Sequence, residues 1–248
     1  MIERPRIAII GYGKMGHEIE AQAKAKGLEI SRIVDMGEDL SKMDFASDEI
    51  AIEFTQPDAA ANNIITLAEK GVSVVVGTTA WQTRLEDVTK AIEQNNSALL
   101  YASNFSIGVA VFNAIVERSA QIINKLPEYD IWGHEIHHTQ KKDSPSGTAV
   151  TIGNTILANI DRKNVIAADM MDRPINPEEL HFSSSRGGKV FGTHSVFMDS
   201  DADNIEVTHT AKGRQGFANG AVAAAVWLRG KKGVFTMKDF TDELLLNS

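Results

Sequence analysis

The chain has 248 residues, 43% hydrophobic and 23% charged, enough for one large domain or two modest ones with a sizeable core. The net charge is −8 with no basic stripe, which argues against nucleic acid as a partner and requires any anion site to gather positive charge locally. There is no cysteine for disulfide or thiol chemistry, no apolar run of membrane length, and no secretion-signal character in Met1-Ile2-Glu3-Arg4-Pro5, so a cytoplasmic protein with no membrane partner is expected.

Arg6 to Ile10 is a short apolar run of the kind that forms a buried parallel strand. Gly11-Tyr12-Gly13-Lys14-Met15-Gly16 follows at once, then an Ala-rich helix to about Lys26 with Gly27 as its C-cap. A G-x-G-x-x-G pattern alone is weak, and the strand–turn–helix context is what gives it meaning. The first glycine permits the tight turn, the second lets backbone approach a pyrophosphate, and the third lets helix and strand pack closely. A second strand, Glu29 to Val34, ends at Asp35, an acid placed to accept hydrogen bonds from the ribose hydroxyls of an adenosine. A dinucleotide is the expected ligand, and a glycine turn without one is the alternative.

A polar segment, Met36 to Asp48, leads to a strand at Ile50 to Phe54 and a helix from Thr55-Gln56-Pro57-Asp58 to Lys70, stopped by Gly71. Val72 to Val76 is a strand ending in Gly77-Thr78-Thr79. A helix from about Thr83 to Gln94 and a strand at Ala98 to Tyr101, ending in Ala102-Ser103-Asn104-Phe105, complete a repeated βαβ pattern. The pattern predicts an α/β, Rossmann-type doubly wound parallel sheet, whose ligands bind beyond the strands' carboxyl ends. Gly11 to Gly16, Asp35, Thr55, Gly77 to Thr79 and Ala102 to Phe105 all sit there and outline one crevice. Ile107 to Ile123 then reads as a long helix with Val109, Phe112, Ile115 and Val116 toward a core.

Tyr129 to His138 reads as a strand around Gly133, and a helix runs from Ala149 to Ile160. Between them lies His134-Glu135-Ile136-His137-His138-Thr139-Gln140-Lys141-Lys142-Asp143-Ser144-Pro145-Ser146-Gly147-Thr148. Ser144 or Ser146 suits the helix cap and Pro145 its first turn. Free N–H groups at a helix start, with Lys141 and Lys142 nearby, favour an anionic small molecule such as a carboxylate. Two other readings compete. His134-Glu135-Ile136-His137-His138 fits the zinc motif H-E-x-x-H, but that motif needs a helix, and on a strand residues four apart lie about 13 Å apart. The histidines could also merely cover a sheet face. After Ala167 the chain reads as antiparallel-type strands at Leu180 to Ser185, Val190 to Met198 and Ile205 to Thr210, forming an open sheet in a second, α+β domain. Asp199 to Asn204 is a turn lacking the Gly and Glu of a calcium loop. A helix from Gly216 to Arg229, apolar nearly all round, must be buried, and a last short helix runs from Met237 to Leu245.

Glu135 to Ala149 resembles the E-x-H-H-x-x-K-x-D-x-P-S-G-T-A signature of the dihydrodipicolinate reductase family. Gly11 to Gly16, Glu53-Phe54-Thr55, Gly77-Thr78-Thr79, Asn104-Phe105-Ser106 and Phe217-Ala218-Asn219-Gly220-Ala221 match further family blocks, so the resemblance covers nearly the whole chain. It implies a Rossmann domain of residues 1–105 and 215–248, and an inserted α+β substrate and tetramerisation domain of residues 106–214 with an open mixed sheet. It implies an NAD(P)H-dependent reductase of 4-hydroxy-tetrahydrodipicolinate in diaminopimelate and lysine biosynthesis, assembled as a homotetramer, with no metal. Carried over, His137 is the proton donor, Lys141 a second donor or charge partner, and His138, Gly147 and Thr148 hold a dicarboxylate together with Ser146 at the helix start. Gly11, Tyr12, Gly13, Lys14, Met15, Gly16, Asp35, Gly77, Thr78, Thr79, Ala102, Ser103, Asn104 and Phe105 are expected at the cofactor. Arg186 is a further candidate for a substrate carboxylate. Met36 stands where many relatives carry Arg, so NADH is expected to serve at least as well as NADPH.

Overall fold

The computed structural model describes residues 4–246, so the outermost ends expected for the first domain, residues 1–3 and 247–248, lie outside the described residues. The chain divides into two compact units, Met1–Ile107 with Arg214–Ser248, and Gly108–Gly213.

The first unit is a parallel sheet built from β1 (Arg6–Ile10), β2 (Ile30–Val34), β3 (Glu49–Glu53), β4 (Ser73–Val76), β5 (Ala98–Tyr101) and β11 (Gly233–Thr236), in the order β11-β5-β4-β3-β1-β2. Side chains alternate across its two faces, as strand geometry requires. Ile7, Ile9, Ile50, Ile52, Val75 and Leu100 meet α1 (Lys14–Ala25) and α6 (Gln215–Leu228) on one face. Ala8, Ile10, Ala51, Val74, Val76 and Leu99 meet α2 (Pro57–Glu69) and α3 (Leu85–Gln94) on the other. Helices on both faces explain why these strands read as unbroken apolar runs. The nearly all-apolar α6 lies against α1 and the middle strands with Ala218, Ala221, Val222, Ala224, Ala225 and Leu228 fully buried. Gly220 lets it approach closely, since a Cβ there would stand 1.7 Å from the Phe105 carbonyl oxygen. The short β11, absent from the sequence reading, extends the sheet beside β5 and leads into α7 (Met237–Leu246).

The second unit packs α4 (Ile107–Ile123) and α5 (Gly147–Leu157) on one face of a sheet ordered β10-β9-β6-β8-β7. Its strands are β6 (Asp130–His137), β7 (Val165–Ala167), β8 (Glu179–Arg186), β9 (Thr193–Asp199) and β10 (Asn204–Thr210). The sheet is mixed, because β6, β8 and β7 run parallel while β9 runs antiparallel to β6 and β10. The expectation of antiparallel-type strands therefore holds only for one half of it. The odd residues Ile131, Gly133, Glu135 and His137 of β6 face the helices, and the even residues Trp132, His134 and Ile136 occupy the open face. On that open face Trp132 stacks on Phe197 at 3.9 Å. Ile115 is 46% exposed, contrary to expectation: Phe112, Val116, Ala120 and Ile123 form the inward stripe of α4, and Ile115 falls about 100° from its middle.

Candidate active site

In the first unit, loops at the strand C-ends line a crevice of about 790 Å³. Gly11 to Met15 follow β1, Asp35 to Glu38 follow β2, Phe54 to Pro57 follow β3, and Gly77 to Thr79 follow β4. Gly11 adopts φ 93°, and a Cβ on it would meet the Phe54 carbonyl oxygen at 2.2 Å. A Cβ on Gly16 would meet the Gly11 carbonyl oxygen at 2.3 Å, so Gly16 packs helix on strand and does not itself line the crevice. Gly13 has open space where its side chain would be and offers no side-chain cap to α1, leaving first-turn N–H groups free for a pyrophosphate. These features fit a dinucleotide.

Asp35 accepts a hydrogen bond from the Tyr12 N–H at 3.3 Å, while its own N–H donates to Glu38 at 2.7 Å. Arg32 is committed elsewhere, forked on Glu49 at 3.2 and 3.3 Å and lying 4.3 Å over the Phe45 ring. Fully buried Glu53 accepts from the Thr55 hydroxyl and from Asn63, and burial pushes its carboxyl above the usual range. Ala102 to Phe105 do not line the crevice. Phe105, 2% exposed, belongs to the core beside Phe54, and Asn104 accepts the Ser106 N–H at 2.8 Å just before α4. A loop position after β5 was visible in the sequence, but the inward turn of Phe105 was not.

In the second unit, a polar row crosses the helix-covered face of the sheet. Cross-strand pairing places Ser184 of β8 and His194 of β9 on either side of Glu135, with His209 beyond His194. Glu135 is fully buried and accepts from the Ser146 N–H at 2.8 Å, the Ser184 hydroxyl at 2.8 Å and Arg186 at 3.0 Å. Burial would push its carboxyl up, but hydrogen bonds from His194, Ser146 and Ser184 outweigh this and hold it far below the usual range. His137 Nδ1 lies 3.2 Å, and His194 Nε2 3.4 Å, from its other oxygen. Burial lowers the His137 pKa to about 4, and the nearby Glu135 carboxylate only partly opposes this against His194, Lys141 and Arg186. Gly192, at φ 146°, backs the ring, since a Cβ there would stand 2.9 Å from His137 Nε2.

The loop from Thr139 to Ser146 brings the remaining candidates to this row. Ser146 caps α5, its hydroxyl accepting the Ala149 N–H at 3.2 Å and lying 3.3 Å from His194 Nε2. Gly147 and Thr148 form the first turn. Lys141 is ion-paired with Asp143 at 2.7 Å. The half-buried His138 is anchored by its N–H on the Val190 carbonyl at 2.8 Å. Arg186, the candidate for a substrate carboxylate, is instead spent inside the protein, on Glu135 and on the Asp143 carbonyl at 2.6 Å.

The H-E-x-x-H reading fails on geometry, because the motif lies on strand β6, where Glu135 faces the helices while His134 bonds Ser183 on the open face. Glu135, His137 and His194 do bring ligand atoms within 4.8 Å of one another. Arg186 and two further donors, the Ser146 N–H and the Ser184 hydroxyl, already neutralise the carboxylate, so its burial needs no cation. Sequence reasoning passed over His194 and the central place of Glu135. The i, i+2 spacing of Glu135 and His137 on a strand was the available signal.

Comparison with known proteins bears on both halves. A family model described as "Dihydrodipicolinate reductase, N-terminus" matches residues 5–105, and one described as "Dihydrodipicolinate reductase, C-terminus" matches residues 108–241. A 4-hydroxy-tetrahydrodipicolinate reductase of Christiangramia forsetii is 42% identical over 246 residues, covering 97% of this chain and 99% of that protein. One from Archaeoglobus fulgidus is 35% identical, covering 96% of this chain and 100% of the relative. The solved structure of a dipicolinate-bound dihydrodipicolinate reductase from Paenisporosarcina sp. TG-14 shares the fold at TM-score 0.73, with 19% identity, covering 96% of this chain and 99% of that one. A dinucleotide cradle in one unit, an imidazole and lysine cluster in the other, and a family match through both place this chain in the dihydrodipicolinate reductase family.

Proposed function

We propose that this chain reduces 4-hydroxy-tetrahydrodipicolinate to tetrahydrodipicolinate with NADH or NADPH, in the route to diaminopimelate and lysine. The observation that carries this reading is the family match through both units, one bearing the glycine cradle and the other the His137–Lys141 loop. The reduced nicotinamide, when bound, supplies the hydride. Gly11 to Met15 would hold its pyrophosphate, Asp35 the adenosine ribose, and Gly77 to Thr79 with Asn104 the nicotinamide end. His137 gives the proton, which it takes up when the anionic substrate binds beside it and offsets the burial that holds its pKa at about 4. Lys141, released from Asp143, pairs with one substrate carboxylate, and His138, Ser146, Gly147 and Thr148 take the other at the helix start.

NADH serves at least as well as NADPH in this reading. A 2′-phosphate brings about two negative charges toward the end of β2, where Asp35 and Glu38 sit and Arg32 is already paired. Lys14 is the cation among the described crevice residues. For assembly we infer a homotetramer through the open face of the second unit's sheet, supported by the stacked Trp132 and Phe197 there. The reading places the enzyme in the cytoplasm.

The test is oxidation of reduced nicotinamide on addition of freshly made dihydrodipicolinate synthase product, with kcat/KM compared for both cofactors at low salt. Absence of oxidation refutes the activity. A preference for NADPH of about tenfold, near 1.4 kcal/mol, refutes the cofactor assignment.

A further inference from the structure

The roles above leave Glu135 without one, yet its two oxygens have very unequal surroundings. Oε1 is saturated by three donors: the Ser146 N–H at 2.8 Å, the Ser184 hydroxyl at 2.8 Å and Arg186 Nη2 at 3.0 Å. Oε2 is buried and takes none of them. It stands instead in ion-pair range, 3.2 Å from His137 Nδ1 and 3.4 Å from His194 Nε2, and neither it nor the buried Nδ1 has a hydrogen-bond partner. An acceptor-only oxygen facing a ring nitrogen at that distance demands a proton on the nitrogen, because two lone pairs would otherwise oppose each other away from water. The groups charging this pocket are Glu135 itself, Lys141, Arg186 and, when protonated, His194.

We propose that Glu135 is a positioning residue that keeps a proton on His137 Nδ1, so that Nε2 is the nitrogen that passes a proton to the substrate. This rests on the proton-donor reading of His137 given above. In the imidazolium, the carboxylate oxygen 3.2 Å from Nδ1 stabilises the charge. A bound reduced nicotinamide would supply the hydride; the Nε2–H bond then breaks, its electron pair stays on Nε2, its proton goes to the substrate, and the substrate's 4-hydroxyl leaves as water. A neutral ring remains, protonated on Nδ1. The same carboxylate holds the Ser146 N–H, so one group sets both the donor's tautomer and the start of α5, where the substrate carboxylate binds. His194 and Ser184 flank it as cross-strand neighbours.

Glu135→Gln makes the sharpest test, because the pocket dictates how the amide sits. Three donors keep the amide oxygen at the Oε1 position, so its NH2 group takes the Oε2 position and donates to His137 Nδ1. The neutral ring must then carry its proton on Nε2, and the imidazolium meets a donor where it had an anion. Such a ring holds a proton but cannot release it without forming an imidazolate.

Ring-nitrogen NMR on 15N-histidine protein is expected to show neutral His137 protonated on Nδ1 in the wild type and in Glu135→Asp, and on Nε2 in Glu135→Gln. In turnover, Glu135→Gln should lose about 10²–10⁴-fold in kcat, with KM for substrate changed much less. Glu135→Asp should recover part of kcat. A wild-type His137 protonated on Nε2, an unchanged tautomer in Glu135→Gln, or a Glu135→Gln enzyme keeping more than about a tenth of kcat overturns the proposal. The wild-type tautomer is read without turnover and without any variant. A protein inactive as a reductase would therefore refute the activity while leaving the tautomer assignment to stand or fall on its own spectrum.

Discussion

Replacing Ser146 by alanine tests whether one hydroxyl serves both a helix and a polar row. Ser146 is 2% exposed, its hydroxyl accepts the Ala149 N–H at 3.2 Å, and it lies 3.3 Å from His194 Nε2. Losing an N-cap hydroxyl costs about 1 kcal/mol, within a range of about 0.5–2. Here the partners are buried as well, Ala149 at 1% and His194 at 4% exposure, so water cannot replace the lost contacts. A buried donor or acceptor left unsatisfied costs a further ~1–3 kcal/mol. The expected destabilisation is therefore about 2–4 kcal/mol. Ser146→Gly separates the causes. At an exposed cap glycine costs only a few tenths of a kcal/mol more than serine, but here it should cost nearly as much as alanine.

The assay is urea unfolding followed by Trp132 fluorescence, since Trp132 lies in β6 whereas Trp81 and Trp227 belong to the first unit. The midpoint should fall without a change in m. KM for the dicarboxylate should rise more than kcat falls, because the first turn of α5 loosens. A loss below about 0.5 kcal/mol for Ser146→Ala, or a glycine variant milder by more than about 1 kcal/mol, refutes the reasoning.

His137→Ala should lower kcat by about 10²–10⁴-fold, whereas His138→Ala should mainly raise KM, as steady-state kinetics on both variants will show. The burial that lowers the His137 pKa to about 4, against an ordinary value of 6.5, makes the unfolded chain bind more protons between those pH values. Stability of the second unit should thus rise with pH across that window, by ~1–3 kcal/mol in urea midpoints, and His137→Gln should flatten the slope. Gly220→Ala places a Cβ 1.7 Å from the Phe105 carbonyl oxygen, so α6 must retreat by more than 1 Å from backbone. We expect a loss of ~3 kcal/mol or more by chemical denaturation, with weakened NADH binding by fluorescence titration.

The first unit was legible because runs such as β1 and β4 are apolar and closed by Gly, and α1 and α2 have glycine stops, Gly27 at φ 69° and Gly71 at φ 73°. β7 and β11 were not, because three or four residues carry no periodicity and their pairing comes from distant strands. The loop at Lys141 to Thr148 announced itself by residue type. His194 did not, since its place beside Glu135 depends on the register of β9 against β6, which no local pattern encodes. Arg186 read as a free cation for the same reason, as its carboxylate lies 51 residues earlier.

One strand carries two unrelated demands. Along β6 the odd positions hold the proton chemistry and the even positions form the outward surface, so alternate letters of one short word belong to different sentences. Substitutions at Trp132, His134 or Ile136 can drift without touching Glu135 and His137. Removing a single residue between Asp130 and Glu135 exchanges the two sets, carrying the carboxylate and the imidazole outward and an indole in among Phe112, Val116 and Ile152. The length of this strand is therefore fixed far more tightly than its spelling, and tolerated insertions or deletions should fall in connecting turns such as that at Ser200 to Asp203.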